Sequence, residues 1–296
     1  MFLLKYIFVL FLFFVSSCSY SGQPERESQK AIIIQDTSKF DYDKKITELR
    51  NILTDDFILK GHSSFLVASN LSETETDNFI YNTIQKSEEC FYNNYFEKKT
   101  DELITIFLFK DDKTYNYWAE KLYDDKNISP YGYYKPSEKT MLMNIATGGG
   151  TLVHELTHAF VRYDFPDIPS WFNEGLGSLY ERCSLSGGNI TGYVNWRLPG
   201  LQEAINNKSY TSLSKLVKTS DDEFYGENSG FNYAQARYLC YYLQEQGLLK
   251  KFYKTFRDRF SEDNSGIKIL EEILNTDLKS FDTNFKKFVL SLELKD

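Results

Sequence analysis

The sequence predicts an α+β protein in which a first part of strands and helices precedes an almost wholly helical part. Residues 103–109, Leu-Ile-Thr-Ile-Phe-Leu-Phe, form an uninterrupted apolar run that is typical of a buried strand. After Gly150 the apolar residues recur at helical spacing, with short connections between the periodic segments. A chain of 296 residues can bury a sizeable core. We expect a cleft between the two parts.

The elements before residue 103 are short. The apolar spacing predicts a helix over about 41–53 and two short strands within 57–69, on either side of Gly61. Ser72 and Glu75 form a capping box. The box predicts the start of a helix whose apolar positions include Ile80, Ile84 and Phe91.

The elements after the 103–109 strand complete the first part. We predict a helix over about 112–124 and then a hairpin with its turn near Pro136. The second strand of that hairpin is expected at 140–146. Beyond Gly150 a mostly buried helix is predicted over 151–163, and a second helix is expected to begin at Pro169 with Ser170 as its N-cap.

Composition and charge exclude one class of partner. The net charge is −8 and no basic cluster is long enough to follow a phosphate backbone. We therefore expect no nucleic-acid partner. The hydrophobic content of 42% and charged content of 26% fit a globular domain with a polar surface.

The N-terminus has the pattern of a secretion signal. Lys5 precedes an apolar run too short to span a bilayer, and the run ends in Val-Ser-Ser-Cys18. This ending resembles the lipobox of bacterial lipoproteins, in which the cysteine becomes the lipidated mature N-terminus. The alternative is an ordinary secretory signal with an incidental cysteine. Ser19 is not an acidic inner-membrane retention residue, which favours the outer membrane.

This interpretation divides the chain into a signal peptide (1–17), a flexible tether (18–40) and one domain (41–296), of which 41–150 is the α+β part. It places the domain outside the cytoplasm of a bacterial cell, held to a membrane by lipid on Cys18. Outside the cytoplasm two of the remaining cysteines could pair, or all could be small buried hydrophobes; these are Cys90, Cys183 and Cys240. The oligomeric state stays open.

The segment 148–161, GGGTLVHELTHAFV, contains two of the three histidines in the chain. His154 and His158 are four residues apart, so on a helix they lie one turn from each other on one face and can bind one metal ion. Glu155 is rotated about 100° from His154 and can act as a general base instead of a ligand. The alternative is a core helix whose histidines are satisfied by hydrogen bonds.

Glu174 is the candidate for a third protein ligand, because His62 lies far upstream. It falls in or near the first turn of the helix that begins at Pro169. Gly175 and Gly177 would allow this helix to pack closely against the helix with the histidines. The alternative is a surface acid at a helix start, where the helix dipole favours it.

These motifs, TLVHELTHAF and PSWFNEGLGSLYE, resemble the gluzincin metallopeptidases, and among them the peptidase MA-like group. The resemblance is specific over about 130–183 and implies a mixed sheet with helices, a helical half and an active-site cleft between them. It implies one zinc ion on His154, His158 and Glu174, with Glu155 as base and proton shuttle. It also implies that the strand at 140–146 is the sheet edge along which a peptide lies.

The resemblance extends more weakly to residues 231–256, where Gly247 is expected to end the first of two helices. A tyrosine from this region covers the oxyanion in some gluzincins, and Tyr233 is the candidate; a packing role is the alternative. Thermolysin-like members carry an acid four residues after the glutamate ligand, which orients a zinc histidine. This chain has Ser178 there, so Ser178 or a backbone carbonyl is expected in that role.

The predicted function is a lipid-anchored zinc metallopeptidase that hydrolyses peptide or protein substrates outside the cytoplasm. One alternative is a catalytically inactive envelope lipoprotein with the zincin fold that acts as a binding or assembly factor. Another is a metallohydrolase that acts on a non-peptide amide.

Overall fold

A computed structural model describes residues 40–294, and its α+β class confirms the predicted fold class. All of these residues lie within one structural unit. The predicted signal peptide, the lipidation site at Cys18 and most of the tether lie outside the described residues. No helix in the described range is long and apolar enough to cross a membrane.

A five-stranded mixed sheet organises the first part of the chain, in the order β1-β2-β3-β5-β4. β2 and β5 run parallel to β3, whereas β1 and β4 are antiparallel to their neighbours. The strands are β1 (Ile58–His62), β2 (Phe65–Ser69), β3 (Ile104–Phe109), β4 (Gly132–Lys135) and β5 (Thr140–Asn144). The predicted hairpin is present, but β5 lies inside the sheet. The two edge strands are β1 and β4, so the prediction that the 140–146 strand forms an edge is wrong.

Helices cover both faces of this sheet and form most of the remaining described residues. In chain order they are α1 (Tyr42–Arg50), α2 (Glu73–Phe79), α3 (Lys86–Asn94), α4 (Asp112–Tyr123), α5 (Gly150–Asp164), α6 (Ser170–Leu179), α7 (Leu198–Asn206), α8 (Leu213–Leu216), α9 (Asp221–Phe224), α10 (Ser229–Glu245), α11 (Leu249–Asp258), α12 (Ile267–Leu274) and α13 (Leu278–Ser291). A π-helical segment, Ile80–Gln85, joins α2 to α3.

Alternation along the strands separates two cores. Phe107 and Phe109 of β3 pack with Trp118 of α4, whereas Ile106 and Leu108 pack into the larger core that contains α5 and the later helices. The uninterrupted apolar run of β3 follows from this arrangement, because a strand covered on both faces has no solvent-facing positions.

The second part contains one element that was not predicted, a hairpin of β6 (Cys183–Ser186) and β7 (Asn189–Gly192). Its turn residues Gly187 and Gly188 have φ of +58° and +70°. Gly-Gly between two short strands is a hairpin signal that periodicity alone does not detect.

Local signals are confirmed in part. The capping box of Ser72 and Glu75 is present, and Gly247 adopts φ +68° just after α10. Ser170 is the first residue of α6 and not its cap; its hydroxyl donates to Asp221 instead. The turn between β1 and β2 lies after Gly61, with Ser63 at φ +53°. All three described cysteines are free thiols.

Candidate metal centre

Three side chains converge where α5 crosses α6. The Nε2 atoms of His154 and His158 lie 3.2 and 3.4 Å from Oε2 of Glu174. One ligand atom from each of the three residues lies within 4.8 Å of the other two. Zinc ligands 2.0–2.1 Å from a tetrahedral ion are about 3.3 Å apart. The group can therefore hold a metal ion.

A missing hydrogen bond supports this interpretation. Oε2 of Glu174 is buried and has no hydrogen-bond partner among the described residues, an arrangement that is costly unless something else occupies the position. The other carboxylate oxygen, Oε1, accepts a hydrogen bond from the Tyr225 hydroxyl at 2.7 Å. One oxygen is thus held by protein and the other faces both imidazoles.

Glycine makes the helix crossing possible. A Cβ added at Gly177 would lie 3.0 Å from Nε2 of His154, so the imidazole lies directly on the backbone of α6. This agrees with the close packing expected at Gly177. Gly175 differs, because its added Cβ would meet Cys240 Sγ at 2.8 Å and the Ala236 carbonyl at 3.0 Å on α10. Gly175 therefore sets the distance between α6 and α10.

The other ring nitrogen of each histidine faces a polar side chain behind the site. Nδ1 of His158 lies 3.0 Å from Oδ1 of Asn173. Nδ1 of His154 lies 3.3 Å from Oε1 of Glu181, a contact within ion-pair distance whose geometry falls short of a hydrogen bond. Such outer partners fix the orientation and tautomer of a ligating imidazole.

Glu181 takes the place that Ser178 was expected to hold. The Ser178 hydroxyl donates to the Glu174 carbonyl one turn earlier in α6, so it does not face an imidazole. A serine inside a helix commonly bonds to the carbonyl four residues back. Glu181 itself accepts from Arg197 at 2.9 and 3.1 Å and from Asn195 at 3.2 Å.

The charges of the three side chains stabilise one another. Burial disfavours protonation of the imidazoles, but the adjacent Glu174 carboxylate outweighs it and raises the pKa of His154 and His158. Burial also opposes ionisation of Glu174, yet the two imidazoles lower its pKa well below the usual range. Protons therefore compete with a metal ion for this site.

Glu155 lies next to the ligands but makes a different contact. It is 8% exposed, and its Oε2 accepts a hydrogen bond from the backbone N–H of Tyr134 at 3.0 Å. Tyr134 belongs to β4, the sheet edge. The backbone of the edge strand thus fixes the carboxylate of Glu155 at the boundary between sheet and helix.

Two tyrosines lie beside Glu174, one on α10 and one just after α9. Tyr233, the sequence-predicted candidate, lies beside Glu174 with the Arg197 guanidinium 5.2 Å above its ring. Burial and the Glu174 charge raise the pKa of both Tyr225 and Tyr233, so both phenols keep their protons. Tyr225 comes from the connection after α9, and no local pattern pointed to it.

These residues line a cleft of about 880 Å³. It includes His154, His158, Glu174, Glu155, Glu181, Tyr225 and Tyr233. Sequence reasoning missed Glu181, which follows Glu174 by seven residues and lies beyond the end of α6. No local pattern pointed to Glu181; in the structure its carbonyl lies against Gly150, where an added Cβ would be 2.1 Å away. Neither a protein-family model nor a curated protein matches the chain.

Proposed function

We propose that this protein is a zinc-dependent peptidase of the gluzincin type, with His154, His158 and Glu174 as the metal ligands. The convergence of two imidazoles on an unpartnered carboxylate oxygen supports this proposal most strongly. Two nitrogen ligands and one oxygen ligand, with a cleft in front of them, are the donor set of a catalytic zinc site. When bound, zinc supplies Lewis acidity that polarises a carbonyl and acidifies water.

The protein's own groups account for the proton transfers. Glu155 is held by the Tyr134 N–H through one oxygen, which leaves its other oxygen to accept a proton from water and to pass it to the leaving amine. Tyr233 remains protonated and acts as a phenolic donor to developing negative charge, whereas the Tyr225 hydroxyl donates to Glu174. Asn173 and Glu181 orient the two imidazoles from behind.

The edge strand supports a peptide as the substrate. Within the described residues β4 has a neighbouring strand on one side only, and Gly132, Tyr133 and Tyr134 line the cleft. An extended peptide can pair with such an edge through main-chain hydrogen bonds. A lipid anchor on Cys18 and an envelope location belong to the same proposal, and they rest on the N-terminal sequence.

The first experiment is the metal content of the purified protein beside its Glu174→Ala variant, measured by mass spectrometry. We expect about one zinc per chain and a large loss in the variant. Absence of metal after zinc is supplied would refute the metal site, and the peptidase proposal with it.

A second experiment separates the metal from the chemistry. Glu155→Gln should keep the zinc and reduce peptide hydrolysis by a factor of 100 or more, on the order expected for loss of a general base. Glu227→Gln, an exposed acid outside the cleft, is the matched control and should retain full activity. Full hydrolysis by the Glu155 variant would contradict the mechanism, whereas zinc binding without hydrolysis by any variant would favour the inactive binding protein.

A further inference from the structure

The cleft contains a cation that forms no ion pair with a described residue. Two cationic side chains line the cleft in the described part of the chain, Arg162 and Arg197. Arg197 donates twice to the Glu181 carboxylate. Arg162 has no hydrogen bond or ion pair with any described residue and is exposed to solvent. Its donors face the solvent of the cleft and are available to an anionic group that enters it.

The helix register directs Arg162 toward the substrate. His154, His158 and Arg162 are spaced by four residues on α5, and each step advances about 6 Å along the helix with a small rotation. Arg162 therefore continues the row of the two histidines and lines the same cleft one turn beyond the metal ligands.

Glu102 is an acid whose charge interacts with that of Arg162, but its carboxylate already has two other partners. Glu102 accepts from Lys139 and from the Tyr163 hydroxyl, and these bonds lower its pKa more than the charge of Arg162 does. Arg162 acts on Glu102 through space only. The guanidinium therefore keeps its donors free.

A second donor at the same end of the cleft also lacks an acceptor. The Tyr134 hydroxyl oxygen is buried and has no hydrogen-bond partner among the described residues. Burial raises the pKa of Tyr134, and the positive charge of Arg162 opposes this, which agrees with the two groups being neighbours. A buried hydroxyl without a partner is costly, so we expect it to turn toward an acceptor that enters the cleft beside Arg162.

We propose that Arg162 and the Tyr134 hydroxyl form a subsite that binds a carboxylate of the peptide substrate. Val161, Pro166 and Ile168 provide apolar walls in the same cleft, which suit the methylene groups next to a carboxylate. Arginine and a tyrosine hydroxyl are both donors, and a carboxylate accepts from several donors at once. The carboxylate comes either from an acidic side chain or from the C-terminus of the peptide. This inference rests on the proposed peptidase function.

Binding to the hydrolysis-deficient Glu155→Gln protein, loaded with zinc, tests the subsite without turnover. The probes are fluorescent mixtures of short random peptides with one fixed central Glu or Gln, each made as the free acid and as the C-terminal amide. We expect one acid form to bind about tenfold more tightly than its amide counterpart. The Glu/Gln pair reports a side-chain carboxylate, and the acid/amide pair reports the C-terminus.

Variants added to this background identify the residues. Arg162→Gln should abolish the preference for the carboxylate, Arg162→Lys should retain part of it, and Tyr134→Phe should reduce it about threefold. Lys250→Gln removes an exposed positive charge outside the cleft and should leave the preference intact. No preference in the parent protein, or a full preference in Arg162→Gln, would overturn the subsite.

Hydrolysis by the protein with Glu155 intact separates this inference from the proposed function. Cleavage of the peptide mixtures without a carboxylate preference would overturn the subsite and leave the peptidase standing. An Arg162-dependent binding preference without any cleavage would support the subsite and contradict the peptidase.

Discussion

Gly177→Ala should weaken metal binding without unfolding the protein. The added methyl carbon would lie 3.0 Å from both Nε2 and Cε1 of His154, whereas ordinary van der Waals contact begins at 3.4 Å. The imidazole must therefore move by about 0.4 Å, which exceeds the tolerance of about 0.2 Å in metal–ligand distances. The displaced atom is the proposed ligand itself.

The effects on stability and on affinity separate in this variant. Replacing glycine inside a helix by alanine stabilises it by up to about 1 kcal/mol, and the new contact opposes this gain. We expect the unfolding free energy of the metal-free protein to change by less than about 1 kcal/mol. Zinc affinity should fall at least about tenfold, as when the support of a ligand is disturbed.

A chelator competition titration measures the affinity, and urea unfolding of the metal-free protein measures the stability. Gly200→Ala is the matched control, because Gly200 lies in α7 and an added Cβ has no neighbour within 4 Å. Wild-type zinc affinity in Gly177→Ala would refute the reasoning. A destabilisation of several kcal/mol would also refute it, since the damage would then be to the fold.

Three further predictions concern the groups that support the site. Arg237 is fully buried and donates to the carbonyls of Ser178, Leu179 and Tyr193, so Arg237→Met should lower the unfolding free energy measured in urea by about 2–4 kcal/mol. Burial opposes ionisation of Glu181, but His154 and Arg197 outweigh it and lower the pKa of Glu181 to about 2. The ionised carboxylate therefore contributes about 3 kcal/mol to the free energy of unfolding. This contribution is present above pH 4.5, the ordinary pKa of a glutamate, and is lost as the pH falls toward 2. Urea unfolding of the metal-free protein across this range should show a weaker pH dependence in Glu181→Gln, and equal slopes would contradict the pairing. Tyr225→Phe removes the hydrogen bond to Oε1 of Glu174 and should weaken zinc binding several-fold in the chelator titration, whereas unchanged affinity would show that the bond is dispensable.

The confirmed predictions concern residues that are close together in the sequence. The capping box of Ser72 and Glu75 joins residues three apart, so the sequence contains the whole interaction. The row of His154 and His158 follows from helical spacing in the same way. Glu174 was found because its short helix follows α5 closely and carries its own glycines.

Interactions across the fold could not be predicted from spacing. Glu181 meets His154 only because the chain turns after α6 and brings its backbone against Gly150. Tyr225 reaches Glu174 from a segment 51 residues away. Ser178 occupied the expected position, yet a helical serine meets its own backbone first, and this local bond removed it from the site.

The sequence by itself determined the α+β class, the helix that presents two histidines on one face, and the three candidate metal ligands. Only the tertiary structure decided that β4 and not β5 forms the sheet edge at the cleft, that Glu181 stands behind His154, and that Arg162 has no ion-pair partner among residues 40–294. Helical periodicity and capping act over three or four residues and are visible in the chain. Strand order and side-chain pairing depend on how distant segments pack, and a single sequence does not contain that information in any local pattern.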